Sequence, residues 1–133
     1  MAAFVVAGLL LGHALIHASY LKAEPTPQRG APAWPFHLDR SWLLRPLRLG
    51  AATTRALGSM LIVLTIVAFG VAAAASTGVA PASMWRVAVA VGAVASLSVL
   101  VAFFHPWLGL GIVIDLGLIW FVVVGDWAPA GQL

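Results

Sequence analysis

With 133 residues, of which 62% are hydrophobic and 8% charged, and a mean hydropathy of +1.05, the chain departs far from soluble composition, in which about 25% of residues are charged. An ordinary soluble domain is excluded, and the longest non-spanning stretch, 21–54, is too short to bury a core of its own. The net charge of +3 belongs to membrane orientation rather than to nucleic acid, because the cations gather in one loop and at the flanks of apolar runs.

Four stretches, 2–20, 56–75, 86–104 and 107–125, match the roughly 17 to 25 apolar residues that one helical crossing of a bilayer needs. The expected fold is therefore all-α: a four-transmembrane-helix antiparallel bundle, one membrane domain over 1–133. The first stretch is expected to be a retained helix rather than a cleaved leader. Its first cation, Lys22, lies at the far end of the apolar run, and Leu21 at the minus-three position of the Ala23 candidate is not small.

Between the first two spans lie Lys22, Arg29, Arg40, Arg45 and Arg48, opposed by Glu24 and Asp39. The positive-inside rule makes loop 21–54 cytoplasmic and both termini external, with Arg86 as one opposing cation. The loop is rich in proline and tryptophan and has two halves. Pro25, Pro27, Pro32 and Pro35 predict an extended crossing over 24–35. Residues 36–49 mix Phe36, Trp42 and leucines with arginines, an interfacial pattern in which Asp39 or Ser41 can cap a short helix. This half is either a surface-lying connector or a lid over the bundle. The loop from Ser76 to Trp85 is uncharged and reads as a passive connection, whereas His105, Pro106 and Trp107 separate spans three and four by a tight turn.

Chemistry in such a chain rests on the residues that break the apolar rule: His13, His17, Ser59, Ser96 and Asp115, with Arg55 at the start of span two. In an antiparallel bundle these share one half of the bilayer, His13 about 10 Å, Asp115 about 12 Å and Ser96 about 13 Å below the loop face. An ionised aspartate at the membrane centre costs about 2.5 to 3.5 kcal/mol even on insertion scales, so it must face protein, a cation or water. Arg55 reaching Asp115 is the structural reading; a ligand site of His13, His17, Arg55, Ser96 and Asp115 is the functional one. His13 and His17 are four apart and Tyr20 follows, so the three line one stripe. With Asp115, His13 and His17 would form a two-His, one-carboxylate set for zinc, iron or manganese. No HExxH sequence is present, and a haem would need residues on facing helices, such as His13 and His105, whose depths differ by about 10 Å. No particular cofactor follows. Absent cysteine, thiolate ligands and thiol redox chemistry are excluded. Gly8 with Gly12, Gly92 with Ser96, and Gly111 one turn from Asp115 are expected to let helices approach closely.

The runs HALIHASY (13–20), WPFHLDRSWLL (34–44) and FFHPWLGLGIVIDL (103–116) resemble a family of small uncharacterised four-helix bacterial integral membrane proteins. The resemblance implies a four-span bundle with its polar residues together, and no activity. In size and span count, though in no motif, the chain is also similar to DoxX-like proteins. Three functions stay open. The first is binding of a small ligand or ion, with His13, His17 and Asp115 as protonatable groups and a homo-oligomer as its transporting form. The second is a structural or accessory subunit of a larger membrane complex. The third, less favoured, is an enzyme acting on a lipid or quinone, with Asp115 and a histidine as acid and base.

Overall fold

The computed structural model describes residues 1–22, 29 and 36–125. Four α-helices account for most of them: α1 (Ala2–Ser19), α2 (Ala51–Ser76), α3 (Met84–Ala102) and α4 (Gly109–Val123). Each, with the Pro106–Leu108 turn added to α4, is long and apolar enough to cross a membrane. The architecture is thus the expected all-helical, four-span one. The Pro-rich stretches 24–28 and 30–35, for which an extended crossing is expected, lie outside the described residues.

Neighbours in sequence are neighbours in space: α1 packs on α2, α2 on α3 and α3 on α4. Small residues set these contacts, since apolar burial gives little drive when lipid is equally apolar and close van der Waals approach must replace it. A Cβ on Gly92 of α3 would stand 2.6 Å from the Phe69 ring of α2, and one on Gly111 of α4 would stand 2.8 Å from Leu100 of α3. Gly58 is similarly filled, by Leu38 and Phe103. The expectation for Gly8 and Gly12 fails: both are exposed, and nothing lies within 4 Å of an added Cβ. The small-residue face of α1 looks outward, and Ala7, Leu10 and Ala14 look inward instead.

Helix ends follow local chemistry more than hydropathy. α2 begins at Ala51, five residues before the apolar run, because Gly50 in extended conformation starts the helix and Thr53, Thr54 and Arg55 continue it. α3 stops at Ala102 and the chain turns through Pro106–Leu108 as a 3₁₀ turn, with the Trp107 N–H donating to His105 Nδ1 at 3.3 Å. In the interfacial segment the short helix is reduced to a 3₁₀ turn, Arg45–Leu47, preceded by Ser41, whose Oγ accepts the Leu44 N–H at 3.1 Å. Arg48 closes that turn in the left-handed region, φ 51°.

The same segment is fastened to the end of α3. Ser41 Oγ donates to the Ala102 carbonyl and Trp42 Nε1–H to the Val101 carbonyl, both at 2.6 Å. Those carbonyls belong to the last turn of α3, where no helical N–H remains to meet them. Phe36 is buried, stacked on Tyr20 at 4.3 Å between ring centroids and tilted against Phe103 at 5.5 Å. Residues 36–44 therefore pack on the loop end of the bundle.

Two apolar layers fill the interior. One, around Leu10, Phe69, Trp85 and Val89, lies toward the far face. The other, around Phe36, Ile62, Val99, Leu100 and Phe103, lies toward the loop face. The polar residues sit between them.

Candidate functional site

His13 and His17 are one helical turn apart and face the same way from α1, with ring centroids 4.9 Å apart. Ser96 reaches them from α3 and Asp115 from α4. His17, Ser96 and Asp115 are fully buried and His13 is 7% exposed. Asp115 is the only buried residue of α4.

The bonds form one connected network. Asp115 Oδ1 lies 3.1 Å from His13 Nε2, and Asp115 Oδ2 lies 2.5 Å from Ser96 Oγ. Ser96 Oγ lies 2.9 Å from His17 Nε2 and 3.3 Å from His13 Nε2. His17 Nδ1 lies 3.1 Å from the His13 carbonyl, which can only accept, so His17 carries a hydrogen on Nδ1 and turns Nε2 toward Ser96. Among the described residues no buried side-chain nitrogen or oxygen lacks a partner.

The second helix contributes no ionisable group to the network. It supplies a wall: the edge of Phe69 meets His13 at 5.4 Å, and the buried Thr65 turns its hydroxyl back to the Leu61 carbonyl at 2.9 Å. Toward the loop face, His17 meets the edge of Tyr20 at 5.4 Å. Tyr20 and the Phe36 stacked on it line a surface cavity of about 460 Å³, together with Lys22, Leu38, Asp39 and Arg55. One aromatic layer separates the histidines from a charged, open vestibule.

Of the five residues singled out from sequence, His13, His17, Ser96 and Asp115 meet and Arg55 does not. Arg55 is exposed and lines the vestibule, while the carboxylate it was expected to pair with is held by His13 and Ser96. Ser59 is half-buried on α2. His13, His17 and Asp115 are adjacent, yet among the described residues no group of three His, Cys, Asp or Glu side chains is arranged to hold a metal ion. In the observed network both nitrogens of His17 are already engaged, by the His13 carbonyl and by Ser96. The Ser41 and Trp42 contacts to α3 escaped the sequence reading; Ser41 carried a signal as a cap, whereas the Trp42 bond had none.

No protein-family model, curated protein or solved structure matches the chain. What fold and site define together is a class: a four-helix protein with membrane-spanning character and a buried His–Ser–Asp cluster at its centre.

Proposed function

We propose that His13, His17, Ser96 and Asp115 form a proton-binding site inside a multi-pass membrane protein, the proton itself being the ligand. A hydrogen count carries this reading. Three links, His17 to Ser96, Ser96 to Asp115 and Asp115 to His13, need one hydrogen each. An ionised Asp115, a His17 neutral with its hydrogen on Nδ1, and a His13 neutral with its hydrogen on Nε2 leave only that hydrogen and the Ser96 hydroxyl. One more proton completes the set and makes the cluster electrically neutral, the form an apolar interior favours.

That proton has two places. On His17 Nε2, it lets Ser96 donate to an ionised Asp115. On Asp115 Oδ2, it lets the acid donate to Ser96, whose hydroxyl turns to His17. A coupled shift of two protons, from His17 Nε2 to Ser96 Oγ and from Ser96 Oγ to Asp115 Oδ2, interconverts the two, so Ser96 acts as a relay between carboxylate and imidazole. Exchange with water is assigned to the vestibule side, where only the Tyr20–Phe36 layer intervenes. Arg40, Arg45 and Arg48 on that side make it cytoplasmic by the positive-inside rule.

Infrared difference spectroscopy across pH tests the reading. The expected result is a protonated-carboxyl band that titrates in the wild type, is missing in Asp115→Asn and is displaced in Ser96→Ala. The second reading, a structural or accessory subunit whose cluster only locks helices, draws support from the complete pairing of the buried polar atoms. Carboxyl and imidazole signals that depend on pH identically in the wild type and in Asp115→Asn would favour it and end the first.

A further inference from the structure

On the flank of α2 and α3, away from the polar cluster, a groove of about 440 Å³ opens to the outside. Its walls are Leu57 and Leu61 of α2 and Leu97 and Val101 of α3, and Leu43 and Leu44 of the interfacial segment roof its upper end. Leu44 also borders a second cavity, of about 510 Å³, into which Arg40 and Arg45 extend beside Asp39 and Thr54. An apolar slot thus adjoins, across Leu44, a basin lined by two arginines and one aspartate. The Trp42 indole bonded to the Val101 carbonyl fixes the rim between them, so the shape is built before anything binds.

We propose that one anionic phospholipid occupies this surface, an acyl chain in the α2–α3 groove and its phosphate against Arg45 and Arg40. A soluble anion has no use for a slot facing the bilayer, and an uncharged tail has no use for the arginines. An amphiphile with both parts uses the whole feature. Guanidinium forks match phosphate oxygens in pairs, a charge-assisted contact that a zwitterionic headgroup weakens with its own cation. The site is independent of the proton chemistry above.

Native mass spectrometry of the full chain, released from neutral detergent with phosphatidylglycerol and phosphatidylcholine of identical chains, needs no variant. Retention of phosphatidylglycerol about tenfold over phosphatidylcholine is expected, as one charge-assisted contact is worth at least that factor. Equal retention overturns the proposal. Thermal melts then locate the site. The extra stabilisation by phosphatidylglycerol should vanish in Arg40→Gln/Arg45→Gln and in Ser98→Phe, which fills the groove, while both variants melt like wild type in phosphatidylcholine. Ser98 is exposed and its hydroxyl bonds only within its own helix, to the Val94 carbonyl. Persistence of the excess in either variant, or its full reproduction by inorganic phosphate, would refute the assignment.

Discussion

Ser96 Oγ and Asp115 Oδ2 meet at 2.5 Å across the α3–α4 boundary, and every other bond between side chains of the buried network ends on one of these two residues. Its removal should be felt by both neighbours. Ser96→Ala strands Asp115 Oδ2 and His17 Nε2 in an apolar interior, at about 1 to 3 kcal/mol for an unmet buried group. Ser98→Ala on the same helix loses only a contact with its own backbone and should change stability little. Denaturation of both variants in detergent gives the comparison.

Asp115→Ala should be worse than Asp115→Asn. Alanine takes a hydrogen-bond partner from both His13 Nε2 and Ser96 Oγ, at about 1 to 3 kcal/mol for each buried group left unmet, whereas an amide keeps the shape and most of the bonding. Asparagine also stands in for the protonated acid. Similar losses for the two substitutions would speak against a role for the carboxyl group's bonding.

Two glycine substitutions separate interior from exterior. Gly92→Ala drives a methyl group to 2.6 Å from the fully buried Phe69 ring and should destabilise by about 1 to 3 kcal/mol, the range for overpacking. Gly12→Ala meets nothing within 4 Å and should be neutral or slightly stabilising, because alanine favours the helix. Thermal melts of the two variants suffice.

The chain has no cysteine, so single thiols report topology directly. Val79 and Leu47 are 84% and 65% exposed, at opposite ends of the bundle. With the arginine-rich loop inside, Val79→Cys should react with an impermeant maleimide on intact cells and Leu47→Cys only after lysis. The reverse pattern would invert the orientation.

The sequence revealed depth but not rotation. Rise per residue brings His13, Ser96 and Asp115 to a common level, and the structure joins them. Which side of each helix faces inward was harder to read, because helices apolar on every side carry little directional pattern. Gly8 and Gly12 show the consequence: their spacing suggests packing, yet the neighbouring stripe of Ala7, Leu10 and Ala14 is the buried one. Arg55 shows another. Its charge complements Asp115, but the helix that carries it begins early, at Ala51, and the side chain ends in the vestibule. The Trp42 bond joins residues 59 positions apart, a distance over which local periodicity carries no information.

Asp115 is the one buried residue on α4, and the rest of that helix offers the bundle little beyond partly buried contacts such as Leu118 and Ile119. In lipid, an apolar side chain gains almost nothing by exchanging acyl chains for another helix. The hold on α4 is therefore a latch rather than a weld. On the proposed hydrogen count, its grip is set by the hydrogens shared among four side chains, which makes the last helix the part of the molecule most readily displaced when that number changes.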